Sequence, residues 1–359
     1  MNVPWWKITL DENEADAARD AVLSGRLSQG QTTVELEARL AKLLDVPHVA
    51  MTTSGSVALA TALFAAGIKP GDEVIVPTRT YIATAHAVQM VGATVRLVDT
   101  LPDTPLMDPA EVEKKITPAT KAIMPVHLNG RACDMDALSD IAERHGLIII
   151  EDAAQAMFSK HKGRYLGTFG LLGCFSLGVT KLITSGQGGF IVTADDTMRE
   201  HLQRFRFHGV SAVRQGSYEH FGFNFRYTDI QASIAMKQLD RLETKIERHN
   251  ELYQRYEATL GNASRVKLLS VDLSGGEVPL WIEAVCEDMD ALKSHLEARG
   301  IGHLHMTPNL SESPHMRDEA PFPNGKYFGD KSLTLPSGPD QNPADIDRTL
   351  EALREFAHA

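Results

Sequence analysis

Positive charge is in short supply in this chain: its 359 residues carry 36 Lys and Arg against 47 Asp and Glu, a net charge of -11. Binding to nucleic acid or anionic membrane needs clustered cations, and no such run occurs, so a small molecule or a protein is the expected partner. Cysteine is scarcer still. Cys133, Cys174 and Cys286 are odd in number, far apart and without a CxxC pair, which argues against a disulfide framework, a zinc site or a four-cysteine iron-sulfur cluster. No metal site is expected. Long hydrophobic runs are also missing: no window reaches the length of a membrane span, and MNVPWWKITLDENEADAARD has neither the basic start nor the apolar stretch of a signal peptide. Nor is there an internal repeat, a low-complexity tract or the GxxxxGKS spacing of an NTP-binding loop. What these absences leave is a cytoplasmic, globular enzyme-sized chain, with 43% hydrophobic residues to build its core.

From about residue 48 to 195, short apolar runs alternate with helix-like segments. HVAMTT, EVIVP, TVRLVD, AIMPV, LIIIED, GCFSL and GFIVT read as buried strands. Most are apolar on both faces, which indicates a mainly parallel sheet covered by helices. Ser56 to Ala66, Ile82 to Val91 and Met135 to His145 carry apolar residues at helical spacing, and so does Thr33 to Leu44, with Val34, Leu36, Leu40 and Leu43 available for burial. After Asp229, IQASIAMKQLDRLETKIERHNELYQRYEATL reads as one long, charge-laced helix bridging to a second unit. The expected division is a large α/β domain over 1–235 and a small α+β domain over 236–359. The latter has a strand at Leu280 to Val285, a helix at Asp288 to Arg299 and a closing helix at Pro343 to Phe356.

Three segments carry chemistry. TSGSVALATAL places Ser-Gly-Ser between a strand and a helix, where free backbone N–H groups and small hydroxyl residues suit a phosphate, although a plain N-cap at Ser54 or Ser56 fits equally. LIIIEDAAQA ends an apolar strand with two carboxylates. A buried acid there must be paired, and Asp152 is suited to bonding a protonated pyridine nitrogen. FSLGVTKLITSGQGGFIVT sets Lys181 in small, mostly apolar surroundings that disfavour its charged form, as a Schiff-base lysine requires. Each segment alone also has a structural reading: a cap, a structural acid, a surface lysine.

Taken in order, SGS, VPTRTYIATAHA, MPVHLNGRACDMD, EDAAQA, FSLGVTK, SGQGG and GFNFRYTDIQA resemble the DegT/DnrJ/EryC1/StrS family of sugar aminotransferases, over roughly residues 8 to 335. The resemblance implies the aspartate aminotransferase-like fold of PLP-dependent transferases (fold type I), with a mainly parallel seven-stranded sheet domain and a smaller C-terminal α+β domain. It implies pyridoxal 5'-phosphate (PLP) as cofactor and a homodimer with shared active sites. The activity implied is transfer of nitrogen from an amino acid, glutamate or glutamine, to a keto sugar, most often a nucleotide-linked keto-deoxysugar. By position, Lys181 would hold the cofactor and shuttle the proton, Asp152 would pair with the ring nitrogen, Gln155 would lie near the ring oxygen and Tyr81 would stack on the ring. Gly55, Ser56 and Ser176 would grip the phosphate, and Asn224 would reach across from the neighbouring subunit. His127 and Arg226 are weaker carry-overs as substrate contacts, and His127 in VHLNG also reads as a satisfied core residue.

The chain departs from the family where GQGG stands in place of the usual GEGG, removing a charge at Gln187, and in HLHMTPNLSESPHM, whose histidines match only in outline. Three alternatives stay open. A keto-cyclitol aminotransferase shares every motif. A PLP-dependent sugar dehydratase is disfavoured by the presence of Lys181, which such relatives replace with histidine. A non-catalytic PLP-binding regulatory protein is disfavoured by the completeness of the motifs.

Overall fold

In the computed structural model, residues 2–210, 218, 220–261, 263–305, 308–316 and 318–358 are described. Two helices, α1 (Glu12–Leu23) and α2 (Gln31–Leu44), precede an alternating series: β1 (His48–Thr52), α3 (Gly55–Ala65), β2 (Glu73–Pro77), α4 (Ala83–Met90), β3 (Thr94–Val98), α5 (Pro109–Lys115), β4 (Thr120–Ile123), α6 (Met135–His145) and β5 (Ile148–Asp152). A small hairpin, β6 (Lys160–His161) and β7 (Arg164–Tyr165), leads to β8 (Leu172–Ser176), β9 (Gly189–Thr193) and α7 (Asp196–Phe205).

The seven strands expected from the apolar runs form one sheet in the order β1-β9-β8-β5-β4-β2-β3. Only β9 runs against the rest, pairing antiparallel with both β1 and β8, while the pairs from β8 to β3 are parallel. Both faces of the sheet are covered, which is why strands such as Gly189–Thr193 are buried at every position. On one face lies α3, whose Ala58 to Leu63 are all buried. That explains why it is apolar all round instead of amphipathic. Opposite it, Leu36, Leu40, Met51, Ile123, Phe175 and Phe190 belong to the larger core, with the Phe175 and Phe190 rings stacked 4.5 Å apart.

Two helical expectations are corrected. In α2 the buried face is Thr33, Leu36, Leu40 and Leu44, whereas Val34 is half exposed and Leu43 only partly buried. The polar Thr33 goes inward because its N–H and hydroxyl both donate to buried Asp229. The long helix after Asp229 is two helices, α8 (Asp229–Leu239) and α9 (Leu242–Leu260), interrupted at Asp240–Arg241. At the break Arg241 pairs with Asp11 at 2.9 Å and with Glu14 of α1, a tertiary contact that outweighs local helix propensity.

The small C-terminal domain has a three-stranded antiparallel sheet of β10 (Val266–Leu268), β11 (Glu283–Cys286) and β12 (Ser332–Thr334), with α10 (Met289–Ala298), α11 (Pro323–Lys331) and α12 (Pro343–His358). β11 starts three residues later than expected. Before it, the Leu280 N–H donates to Asn129 O and the Ile282 N–H to the Ser337 hydroxyl, so this stretch ties the two regions together instead of continuing a ladder. The second core gathers Leu252, Tyr256, Ile282, Leu292, Leu333 and Leu353, and Val3 from the far end of the chain packs with them. No described helix is long and apolar enough to cross a membrane.

Candidate active site

Because six strands point the same way, their carboxyl ends share one edge of the sheet, the place where parallel sheets open a crevice. Ser54–Ser56 follow β1, Tyr81 and Thr84 follow β2, His127 follows β4, Asp152 ends β5 and Lys181 lies in the loop after β8.

Asp152 is fixed by its backbone on one side and its carboxylate on the other. Its N–H donates to Pro125 O at 2.9 Å, and its carbonyl accepts from His127 N–H at 3.1 Å. One carboxylate oxygen accepts the Thr84 hydroxyl at 2.7 Å and the other the Ala154 N–H at 3.1 Å. Burial pushes this carboxyl above its ordinary value, opposed by the Thr84 hydroxyl, the Ala154 amide and the charge on Lys181. A carboxylate that still gains from a nearby cation is suited to holding a protonated ring nitrogen.

Lys181 shows the reciprocal effect: burial lowers its pKa to about 8, and Asp152 opposes the shift. The two groups therefore share one electrostatic environment, at the end of β5 and in the loop after the adjacent strand β8. Roughly a tenth of such amines is neutral at pH 7, several hundred times more than for an unperturbed lysine. The amine rests 5.1 Å from the centre of the Trp281 ring.

Beside them, Ser54 caps α3, accepting the Val57 N–H at 3.2 Å. The next two amides, of Gly55 and Ser56, are helix-start donors without intrahelical acceptors, at the positive end of the helix. The packing here needs glycine: a Cβ on Gly55 would stand 2.8 Å from the Ser176 Cβ, and one on Gly189 would stand 2.6 Å from the Ser54 carbonyl. Gly55, Ser56 and Ser176 are thus brought together by close backbone approach, with hydroxyls and free amides around them. This donor set fits a phosphate.

Gln155 is buried, and its side-chain oxygen accepts the Asn129 N–H at 3.0 Å, so its amide NH2 is the end available to donate. Tyr81 follows β2 and is 57% exposed. His127 neighbours Asp152 through its backbone, but its ring is not open to a substrate. It is fully buried, Nδ1 accepts the Cys133 N–H at 3.2 Å, and Nε2 meets Glu151 at 2.9 Å. Glu151 in turn accepts the Gly167 and Gly170 amides at 2.7 and 2.6 Å, so this histidine holds the GTFGLLG loop under β5. Asn224 and Arg226 are bonded to each other at 2.9 Å. Arg226 stacks on Phe207 and lines a separate cavity of about 630 Å³ with Gln29, Arg199 and Arg204.

Sequence reasoning missed Thr84 and the two indoles that reach the lysine turn: Trp6 Nε1 donates to Val179 O at 3.0 Å and Trp281 Nε1 to Thr180 O at 3.2 Å. Gln187 is exposed, and its backbone carbonyl accepts the Ser185 hydroxyl at 2.6 Å. Of the C-terminal histidines, His303 meets Glu297, His305 meets Gly329 O and His315 meets His86; Met306 and Thr307 lie outside the described residues.

Such a sheet, with a lysine of lowered pKa and a carboxylate at its carboxyl edge, belongs to the PLP-dependent transferases of fold type I. The chain belongs to the DegT/DnrJ/EryC1/StrS aminotransferase family, whose profile matches residues 8–354, and is a PLP-dependent aminotransferase. It is 38% identical over 362 residues to a GDP-perosamine synthase of Caulobacter vibrioides, covering 96% of this chain and 95% of that protein. It is 38% identical over 354 residues to the dTDP-3-amino-3,4,6-trideoxy-alpha-D-glucose transaminase of Streptomyces venezuelae, covering 96% and 92%. S. venezuelae DesV, solved in complex with a ketimine intermediate, superposes with a TM-score of 0.95 at 36% identity, covering 100% of this chain and 99% of that one.

Proposed function

We propose that this aminotransferase moves an amino group from glutamate or glutamine to a nucleotide-linked keto-deoxysugar in aminosugar biosynthesis, in the cytoplasm, as a homodimer with shared active sites. The observation that carries the site is the mutual electrostatic influence of Lys181 and Asp152 at the carboxyl edge of β8 and β5. PLP, when bound, supplies a carbonyl that carries the nitrogen and a ring that accepts electrons from the donor's α-carbon. Lys181 holds that carbonyl and, once displaced, its amine takes a proton from the donor carbon and later delivers one to the sugar carbon. Asp152 keeps the ring nitrogen protonated, and the α3 start with Ser56 and Ser176 holds the phosphate. Tyr81 covers the ring face and Gln155 donates to the ring oxygen. Asn224, which is exposed, and Arg226, which is half-exposed and lines a cavity that does not include Lys181, are assigned to the partner's site, Asn224 as a cofactor contact and Arg226 as a substrate contact.

The substrate class follows from the relatives, whose names give both GDP- and dTDP-linked sugars. All three cysteines are free and buried, in keeping with a reducing compartment. The test uses the pyridoxamine form of the enzyme with a panel of GDP- and dTDP-linked keto-deoxysugars and a keto cyclitol. Return of the cofactor's aldehyde absorbance with a nucleotide sugar is expected; return with the cyclitol alone, or with none, overturns the substrate assignment. Lys181→Ala is expected to lose the visible absorption of the covalently held cofactor and all turnover, and retention of both defeats the role given to Lys181.

A further inference from the structure

The chain has three tryptophans, and all three meet over the turn that carries Lys181. Within the loop, the Lys181 N–H donates to Gly178 O at 3.1 Å and the Ser185 N–H to Leu177 O at 3.2 Å. The two carbonyls between, of Val179 and Thr180, receive indole N–H groups from distant parts of the sequence, Trp6 and Trp281. Val179 is 57% exposed, so the apex has little packing of its own. Trp281 is itself buried, Trp5 meets it edge-on at 6.0 Å, and its face looks toward the Lys181 amine. Both indoles are anchored to one point of the small domain. Ser337 N–H donates to Trp5 O at 2.7 Å, Lys7 N–H donates to Ser337 O at 3.2 Å, and Ile282 N–H donates to the Ser337 hydroxyl at 2.8 Å.

We infer that Trp281 and Trp6 are positioning residues for Lys181, the two indole N–H groups fixing the peptide planes before it and the Trp281 face giving the displaced amine a place to rest. A lysine that acts as both tether and proton carrier must stay near the reacting carbon after it lets go. An indole face attracts the ammonium form yet offers no acceptor for its proton, so it holds the side chain without competing in proton transfer. A carboxylate in the same place would trap the charged form. The arrangement also makes the N-terminal segment and the small domain part of the lysine's support, linking their position to the transfer step.

This inference rests on Lys181 being the residue that holds the cofactor, and the experiment separates the two claims. Holoenzyme is reduced with borohydride and the labelled peptide mapped by mass, for wild type, Trp281→Phe, Trp281→Leu and Trp6→Phe. Single-turnover rate and donor affinity are then measured with glutamate from the cofactor absorbance. Label on Lys181 in all four is expected. Trp281→Phe, which keeps a ring and loses the N–H, is expected to slow the single turnover roughly tenfold, the worth of one hydrogen bond. Trp281→Leu, which loses the face as well, is expected to slow it roughly a hundredfold, and Trp6→Phe a few-fold, with donor affinity nearly unchanged throughout. Label on a different lysine in wild type removes the underlying assignment. Label on Lys181 with all three variants at the wild-type rate, or with losses confined to donor affinity, overturns the positioning role alone.

Discussion

In the proposed site, Asp152 and Lys181 are held in opposite ways. Asp152 ends a strand whose ladder continues on both sides, and both of its carboxylate oxygens are already bonded by the chain. Lys181 lies on a loop whose apex is held from outside, by side chains 173 and 101 residues away in sequence from the carbonyls they reach. The contrast matches the demands of the chemistry. A group that maintains a constant charge beside a ring is best immobile, because preorganised dipoles cost no reorganisation during reaction. A group that forms and breaks a bond needs an anchored backbone and a mobile end.

Short of removing Lys181 itself, the largest expected effect breaks the static partner. Asp152→Asn keeps the shape and removes the charge, and turnover is expected to fall roughly 10²- to 10³-fold, while borohydride still labels Lys181. Loss of the label as well would show that Asp152 is needed to build the site instead of to tune it. Next in size is the phosphate seat, which belongs to neither partner. In Gly55→Ala the new methyl meets the Ser176 Cβ at 2.8 Å, so cofactor dissociation is expected to rise about tenfold or more. Equilibrium dialysis of the cofactor checks this, and unchanged retention would remove Gly55 from the seat.

How much of this was legible in the sequence follows from the range of the forces involved. The seven strands could be read because burial on both faces leaves continuous apolar runs. α3 could be read because a serine cap precedes a wholly apolar turn. Asp152 stood out as an acid at the end of such a run, whereas Lys181, alone in a small and mostly apolar stretch, was marked by the resemblance to the family. α1 was hidden because ENEADAARDAVL has almost no apolar stripe: its one buried residue is Glu14, held by Gln238 and Arg241. The helix break at Asp240–Arg241 has the same origin, since its cause lies 227 residues away. Thr84, Trp6 and Trp281 were missed for a related reason. Nothing in the local pattern separates a tryptophan that fills a core from one that also donates to a distant loop. His127 carried the opposite hazard: a histidine at a strand end beside the site spends both ring nitrogens on holding a loop.

A smaller effect sharpens the account of Asp152. In Thr84→Val the carboxylate loses its 2.7 Å hydroxyl donor while staying buried, and a loss of about 1 to 3 kcal/mol of stability is expected. Burial already raises this carboxyl above its unfolded value near 3.8, so the sign of the pH dependence is fixed. The charged form is the one that needs the hydroxyl, so the penalty should be complete above the variant's folded pKa and fade as pH falls to the wild-type folded pKa, which itself lies above 3.8. Denaturant melts of the apoprotein at several pH values measure it. A penalty independent of pH would mean that the hydroxyl serves the Thr80 and Tyr81 loop and not the carboxylate.

The smallest expected effect is a displaced titration instead of a loss. In the role proposed for Lys181, attachment of PLP to the apoprotein needs its neutral amine, so the rate should rise with pH and level off above the lysine's pKa of about 8, instead of near 10.5. Burial lowers that pKa and the Asp152 charge holds it up. Asp152→Asn should therefore move the midpoint to lower pH, even though the same variant is heavily damaged in turnover. Stopped-flow rates of the covalent band across pH measure both midpoints. A midpoint that does not move down in Asp152→Asn would mean that the Asp152 charge does not act on the amine, and the contrast between a fixed charge and a mobile amine would lose its physical basis.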